Sequence, residues 1–192
     1  KGSGYTETPD CQIEKVAFAD GTVWNLEEIH TRAHSMSGTD KSDFYQALDN
    51  KPFTYHGLAG NDSLVGGVAN DLLYGDAGDD YLRGLNGNDT LVGGQGNDRL
   101  EGGEGDDTYI FNKGDGVDVI SETKGVDTIQ FGEGITPDDV VARVVTAKSS
   151  SDYVSLELSV KGTNDTITVE KQFGYKGSGY TETPDCQIEK VA

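Results

Sequence analysis

The sequence predicts an all-β protein, with minor α content, built around a right-handed parallel β-roll with flanking antiparallel strands and short helices. Three observations predict this class of fold. A nine-residue pattern recurs six times in tandem between Gly57 and Ile110. Every copy has Gly first, Asp sixth, and Leu or Tyr eighth, and the 27 glycines of the 192-residue chain cluster around these copies. Turns and short strands repeating at a fixed spacing are typical of a solenoid.

Each nonamer has a physical interpretation. The copies read GLAGNDSLV, GGVANDLLY, GDAGDDYLR, GLNGNDTLV, GGQGNDRLE and GGEGDDTYI. Glycines at positions one, two and four permit positive φ, so the first six residues predict a tight turn. The last three residues predict a strand in which position eight points inward, because neighbouring side chains alternate between faces. The inward residues form a predicted ladder: Leu64, Leu73, Leu82, Leu91, Leu100, Tyr109, Ile120 and Ile129.

The pattern degenerates at its end and varies within. After the inserted Phe111 and Asn112, KGDGVDVIS and ETKGVDTIQ recover the nine-residue spacing of Asp and a large apolar residue. Leucine or aspartate replaces the second glycine in three turns, and alanine replaces the fourth in another, so we expect backbone strain there. These departures are Leu58, Asp76, Leu85 and Ala69.

The stacking of these turns predicts a metal. Two turn-strand units per coil place alternate loops on opposite edges, with Asp62, Asp80 and Asp98 on one edge and Asp71, Asp89 and Asp107 on the other. Carboxylates stacked roughly 5 Å apart repel strongly unless a cation lies between them. Carboxylate and carbonyl oxygens, with no His or Cys in the turns, favour Ca²⁺ over zinc or copper, and Mg²⁺ is the weaker candidate.

The repeats resemble the haemolysin-type calcium-binding nonapeptide family, the RTX (repeats-in-toxin) proteins. The resemblance implies Ca²⁺ between stacked loops, held by the Asp at position six and by turn carbonyls. It assigns as ligands Asp62, Asp71, Asp80, Asp89, Asp98, Asp107, Gly60, Asn61, Gly66, Gly78, Asp79, Gly87, Asn88, Gly96, Asn97 and Gly105. Asp118 and Asp127 are either further ligands or capping residues, which gives about four to six ions.

Antiparallel strands are predicted after the roll. VVARVVTA, DYVSLELSV and DTITVEKQFG read as strands separated by polar turns. Thr136, Pro137 and the two acids that follow predict the start of a helical turn, with an N-cap, a proline at the first position and favourable charge.

The front of the chain, CQIEKVAFADGTVWNLEEIH, predicts a strand, an Asp20–Gly21 turn, and a strand or helix start from Val23. Together with residues 139–175 it resembles the haemolysin-type calcium-binding-protein-related domain, with the end of that domain first in the chain and its beginning last. Trp24 is expected to pack or to contact a partner.

One 17-residue segment, KGSGYTETPDCQIEKVA, occurs twice, at residues 1–17 and 176–192. Cys11 and Cys186 are therefore one cysteine counted twice, and we expect no disulfide scaffold. The duplication favours a unit repeated in tandem in a longer protein over an engineered permutation or fusion. Three segments are expected: residues 1–50 ending one flanking domain, 51–131 forming the roll, and 132–192 beginning the next flanking domain. The first segment is expected to dock onto the strands of residues 139–175, within the chain or on a neighbouring molecule.

No catalytic function is predicted. The spacing of His30 and His34 would suit zinc on a helix, but no third ligand is evident and a solvated face is favoured. His56 is expected to cap the roll rather than act as a base. The sequence offers no Ser-His-Asp set and no nucleophile elbow. Of three functional hypotheses, a toxin module, an adhesin module and the tail of a secreted enzyme, the enzyme tail is therefore the weakest.

Charge bounds the partners. A net charge of −19, with 34 acids against 15 bases, excludes a typical nucleic-acid binder and favours cations. The RTX resemblance implies a calcium-binding module of a secreted bacterial toxin. It further implies type I secretion, an extracellular or bacterial-surface location, and folding induced by Ca²⁺ after export. A spacer or host-binding module of an adhesin is the alternative, with neighbouring repeat units and a host cell surface as partners. Within this family the chain resembles the large iron-regulated, self-processing members, although it lacks the Asp-Pro bond that their processing uses.

Overall fold

A computed structural model describes residues 15–25, 28, 32, 35–47, 50–146, 153–176, 179–182 and 188–192 of the chain. The chain divides into two compact units, Lys1–Ser35 and Met36–Ala192. Most of the described residues lie in strands, which confirms the predicted all-β class. Within these residues, no helix has the length and apolar character that crossing a bilayer requires.

The first unit contains a β-hairpin. Strand β1 (Lys15–Ala17) pairs antiparallel with β2 (Val23–Asn25). Asp20 and Gly21 form the turn: Gly21 has φ 87°, and the Thr22 N–H donates to Asp20 Oδ1 at 2.9 Å. The ring of Trp24 lies 4.6 Å from that of Phe18, and the guanidinium of Arg32 lies 4.2 Å above Trp24. The predicted turn and the packing role of Trp24 are confirmed.

The second unit consists of two sheets joined by the turns of the repeats. The strands of the repeat region are β3 (Ser35–Ser37), β4 (Phe44–Gln46), β5 (Thr54–His56), β6 (Ser63–Val65), β7 (Leu72–Ala77), β8 (Tyr81–Asn86), β9 (Thr90–Gln95), β10 (Arg99–Glu104), β11 (Thr108–Phe111), β12 (Val117–Ser121) and β13 (Asp127–Phe131). The later strands are β14 (Val140–Thr146), β15 (Tyr153–Val160), β16 (Thr166–Lys176), β17 (Gly179–Glu182) and β18 (Ile188–Val191).

Alternate strands of the roll belong to alternate sheets. One sheet has the order β14-β15-β16-β12-β10-β8-β6-β4, with β17 paired to β16, and the other has the order β18-β13-β11-β9-β7-β5-β3. Neighbouring strands of the regular repeats are parallel, and paired residues are 18 positions apart, as in Leu64 opposite Leu82 and Leu73 opposite Leu91. The offset is 20 where β12 and β13 pair with β10 and β11. This pairing confirms the predicted parallel β-roll.

The core is the predicted ladder. Every one of the eight inward residues is buried, with at most 2% of its surface exposed. Leu64, Leu82, Leu100 and Ile120 stack along one sheet. The other four, Leu73, Leu91, Tyr109 and Ile129, stack along the facing sheet. Each residue buries little area alone, so the coils are stabilised by the contacts of successive rungs.

Aromatic rings close the N-terminal end of the ladder. Tyr45 takes the place of position eight, opposite Leu64, and its ring lies 4.6 Å from those of Phe53 and Tyr55. Phe53 takes the place of the position-six Asp, and its N–H donates to Asp71 Oδ1 at 2.9 Å. The pairing along the two sheets thus begins at β3 and β4, upstream of the first regular nonamer.

The C-terminal strands extend the roll. The antiparallel β14 and β15 lead into β16, which lies parallel to β12 and places the buried Val169 opposite Ile120. Asp165 Oδ2 accepts the Gly114 N–H at 2.8 Å and ties the start of β16 to the last turns. A 3₁₀ helix, Pro137–Asp139, begins with a capping box formed by Thr136 and Asp139. The predicted strands and helical turn are confirmed.

The two copies of the duplicated segment are paired differently. In the first copy, Lys15–Ala17 forms an antiparallel edge of the hairpin. In the second, β17 pairs antiparallel with β16, whereas β18 lies parallel to β13, with Val191 opposite Ile129. Cys11 and Cys186 lie outside the described residues, as does the rest of the first copy. The docking of the N-terminal segment onto residues 139–175 and the three segment boundaries stay predictions.

Candidate metal centre

The position-six aspartates form two buried columns, one along each edge of the roll. Each lies directly before a strand or within its first two residues, and each has at most 3% of its surface exposed. One column contains Asp62, Asp80, Asp98 and Asp118, and the other contains Asp71, Asp89, Asp107 and Asp127. Buried carboxylates are costly unless they are paired or bind a metal.

One oxygen of each aspartate holds the preceding coil. The backbone N–H of Asp62 donates to Asp80 Oδ1 at 2.7 Å, and that of Asp80 donates to Asp98 Oδ1 at 2.8 Å. The opposite column repeats the pattern at 2.7–2.9 Å. Asp118 and Asp127 continue it, because their Oδ1 atoms accept from Asp98 at 3.0 Å and Asp107 at 2.9 Å. We call this chain of contacts the Oδ1 ladder.

The second oxygen is left buried without a hydrogen-bond partner in five of the described turns: Asp62, Asp80, Asp89, Asp98 and Asp107. Burial, together with the charges of stacked acids, raises the pKa of Asp89 and Asp98 to about 7. The same causes raise the pKa of Asp80 to about 6 and of Asp118 to about 8. A buried anionic oxygen with no donor is an atom that a cation would satisfy.

The position-one glycines border these oxygens. A Cβ built on Gly57 would lie 2.3 Å from Asp62 Oδ2 and 2.6 Å from the carbonyl oxygen of Gly75 in the next coil. The same pair of oxygens recurs beside Gly66, Gly75 and Gly84. A carboxylate oxygen and a carbonyl oxygen therefore converge on a space that a side chain would fill. Both are hard oxygen ligands, so the residues present fit Ca²⁺.

The backbone at position two decides which carboxylates stay open. Position two has positive φ in the five turns with an unpartnered Oδ2, whether the residue is Leu, Asp or Gly: Leu58 79°, Asp76 70°, Leu85 83°, Gly94 94° and Gly103 117°. These include three of the four replacements at which strain was expected, and non-glycine residues in this region are strained.

The turn Gly66–Asp71 is the exception. Ala69 stands at position four, and neither it nor Gly67 is among the residues with positive φ. The Gly67 N–H instead donates to Asp71 Oδ2 at 2.7 Å, which closes the turn on itself. Thr39 makes the equivalent bond to Asp43 at 2.6 Å in the irregular first turn. Asp71 therefore differs from the other predicted ligands.

In the other five regular turns, glycine at position four is favoured for two reasons. Gly60, Gly78, Gly87, Gly96 and Gly105 have φ between 121° and 152°. A Cβ on Gly78 would also lie 1.7 Å from the carbonyl oxygen of Gly60. Each position-four residue is thus stacked at close range on the carbonyl of the position-four residue one coil earlier.

The position-five side chains lie outside the buried columns. They are exposed, and their Oδ1 atoms accept backbone N–H groups one coil later: Asn61 from Asp79 at 3.2 Å, Asp79 from Asn97 at 2.8 Å, and Asn88 from Asp106 at 3.1 Å. Their side chains therefore hold the stacking register of the turns.

Sequence reasoning missed Glu122. Its carboxylate, with those of Asp107 and Asp127, forms a group whose ligand atoms all lie within 4.8 Å of one another, and all three residues are buried. Glu122 occupies position one of the turn that ends at Asp127, where the six regular copies have glycine. This departure from glycine was the available signal.

Of the three histidines considered in the sequence, only His56 is among the described residues. His30 and His34 lie outside them. His56 lies in β5, stacks on Tyr74 with ring centroids 4.2 Å apart, and has Nδ1 3.1 Å from Asp76 Oδ2.

The fold and the columns define a calcium-binding β-roll. The family described as RTX calcium-binding nonapeptide repeat (4 copies) matches residues 56–91 and 83–118. The haemolysin-type calcium binding protein related domain matches residues 3–28. No curated protein matches the chain.

The chain thus carries RTX repeats, whose cofactor is Ca²⁺, together with a segment that matches that related domain. These repeats form a structural family that is not typically enzymatic, and they are typically found in secreted proteins.

Proposed function

We propose that this chain is a calcium-dependent folding module of a secreted bacterial toxin, exported by type I secretion and folded by Ca²⁺ outside the cell. The observation that carries the proposal is the set of five buried carboxylate oxygens without partners. Such oxygens oppose folding when no cation is bound and favour it when Ca²⁺ binds.

The proposed ligands are the Oδ2 atoms of Asp62, Asp80, Asp89, Asp98 and Asp107, together with carbonyl oxygens of the turns. Asp71 binds only if its bond to Gly67 opens. Asp118 and Asp127 complete the columns, giving about four to six ions. When bound, Ca²⁺ supplies the counter-charge of each column. The chain itself supplies the register, because the Oδ1 ladder fixes each carboxylate relative to the next coil.

Ca²⁺ affects stability by mass action. Extracellular calcium modules bind with dissociation constants of about 10⁻⁴ to 10⁻³ M, so a low-calcium cytosol leaves the sites empty. The acidic, glycine-rich repeats would then remain largely disordered, since repulsion and lost chain entropy exceed the gain from one ladder.

Circular dichroism during a Ca²⁺ titration from excess chelator tests the proposal. We expect a disordered spectrum in chelator and a cooperative gain of β-structure as Ca²⁺ is added, with Mg²⁺ much less effective. A β-spectrum that is complete in chelator, with no added thermal stability in Ca²⁺, would refute it.

A spacer or host-binding module of an RTX adhesin is the second candidate. The duplicated 17-residue segment favours it, because a unit recurring at a 175-residue offset suits a rigid array. Small-angle scattering of two linked units would distinguish the candidates: an elongated particle that stiffens in Ca²⁺ supports the spacer, and two independently tumbling units oppose it.

A further inference from the structure

The end of one acidic column differs from every regular turn above it. Position one borders the carboxylate of its own turn: a Cβ on Gly102 would lie 2.2 Å from Asp107 Oδ2. In the next turn on that edge, Glu122 occupies this position and adds a carboxylate. On the opposite edge the equivalent position is held by the exposed Lys113. Among the described turns, a carboxylate at position one therefore occurs at this end of this column alone.

Hydrogen bonds fix the Glu122 carboxylate. The Tyr109 hydroxyl donates to Glu122 Oε1 and accepts the Gly102 N–H at 2.7 Å. The Thr123 N–H donates to Glu122 Oε2 at 3.1 Å. Glu122 is buried, with 6% of its surface exposed. A side chain held at both oxygens is pre-organised, so it loses little freedom when a ligand binds.

The group also contains an open ligand atom. Asp107 has 1% of its surface exposed, and its Oδ2 has no hydrogen-bond partner. Asp127 is equally buried, and its Oδ1 accepts the Asp107 N–H at 2.9 Å. Lys124, the basic residue of this turn, pairs at 2.6 Å with Glu104 on the exposed surface.

We propose that Asp107, Glu122 and Asp127 form a three-carboxylate Ca²⁺ site that is the tightest in the roll. The proposal rests on the proposed calcium-binding function and deepens it. Affinity for Ca²⁺ rises with the number of charged ligands and with the rigidity of the site, and this group exceeds the regular turns in both. Glu122 is the residue that makes the difference.

Terbium binding to the full chain tests the proposal, because Tb³⁺ takes the same oxygen ligands as Ca²⁺ and a nearby tyrosine sensitises its luminescence. We expect Glu122→Gln to weaken the tightest class of sites about tenfold while the weaker classes persist. The matched control is Glu104→Gln, which removes the same charge from the exposed surface of the same end and should leave the tight class unchanged.

Two further variants separate ligation from folding. Glu122→Gly restores the residue of the regular turns, so it should fold in Ca²⁺ and retain only weaker sites. Tyr109→Phe removes the nearest sensitiser and should reduce Tb³⁺ luminescence from the tight class. Calorimetry with Ca²⁺ supplies the affinities of each variant.

An unchanged tight class in both Glu122 variants overturns the inference. That result leaves the proposed function intact if the wild-type chain still folds with Ca²⁺. A wild-type chain that binds no Ca²⁺ refutes the proposed function itself, so the two failures are distinguishable.

Discussion

Asp89→Asn should stabilise the calcium-free roll and destabilise the calcium-bound one. Asn keeps the size of the side chain and an Oδ1 that can accept the Asp71 N–H, now at 2.7 Å. It removes the charge on the unpartnered Oδ2. The substitution therefore separates the charge of one column residue from its structural role.

The magnitude follows from the spacing of the column. Asp71 and Asp107 flank Asp89 in the neighbouring coils, and adjacent strands are about 4.8 Å apart. Two charges at that distance repel by about 3 kcal/mol at an effective dielectric constant of about 20. Above its pKa of about 7, Asp89 is ionised, so its neutralisation should stabilise the calcium-free roll by up to about 3 kcal/mol per ionised neighbour.

In saturating Ca²⁺ the effect of Asp89→Asn on stability has the opposite sign. A site filled at about one hundred times its dissociation constant stabilises the folded chain by about 2.7 kcal/mol, and the variant should lose roughly that amount. Urea unfolding at pH 8 measures the free energy of unfolding of the wild type and of Asp89→Asn, once in saturating Ca²⁺ and once in chelator. The same concentration of sucrose is added in every experiment, so that both proteins are folded without Ca²⁺.

The control is Asp71→Asn in the same column. Because Asp71 Oδ2 already accepts the Gly67 N–H, this variant should lose less of the calcium-linked stability. The reasoning is refuted if Asp89→Asn lowers stability in chelator at pH 8, or if its gain in Ca²⁺ equals that of the wild type.

Three further predictions concern pH, the core and the turns. The raised pKa values of Asp89 and Asp98 mean that the calcium-free fold is most stable below about pH 4 and loses stability as pH rises through about 7, whereas Ca²⁺ affinity increases over that range. Thermal melts in chelator, with the same sucrose added to keep the chain folded, check the sign at pH 5 and pH 8, and a higher melting temperature at pH 8 contradicts it. Leu82→Ala should cost about 2–5 kcal/mol in urea unfolding with Ca²⁺, because Leu82 is completely buried between two other leucines of the ladder; a loss no larger than that of the exposed Val68→Ala would oppose this. Gly78→Ala should disrupt its own turn and reduce the β-structure gained in Ca²⁺, since its φ of 139° and the contact with the Gly60 carbonyl both exclude a side chain. A calcium-induced β-spectrum equal to that of the wild type would be the contrary result.

The period of the repeats was sufficient to predict the roll, its ladder and its two acidic columns. It was not sufficient to predict the turn at Asp43 or the role of Phe53, because ten residues separate Gln46 from Gly57 and aromatic residues replace the expected ones. The strand pairing in the structure identified this first turn, since Tyr45 lies opposite Leu64. At the N-terminal end of the roll, the nine-residue spacing is therefore lost although the inward packing of side chains continues.

The sequence also did not predict which aspartates have an Oδ2 without a hydrogen-bond partner. The orientation of the peptide at position two leaves Asp89 Oδ2 open and closes Asp71, although both turns share the same first and sixth residues. Position two is Leu85 in the open turn and Gly67 in the closed one, so the presence of glycine at position two does not by itself give the positive φ of the open turns. The local backbone is decided by the stacked neighbours as well as by the residue itself.

The Oδ1 ladder makes the roll a one-dimensional chain of nearest neighbours. Each aspartate reaches back by one coil only, so a damaged turn loses two couplings along its edge and leaves the more distant turns intact. A break near Asp80 would divide the roll into two shorter stacks instead of weakening all coils equally. Tolerance to damage should therefore depend on how many intact coils remain on either side of it.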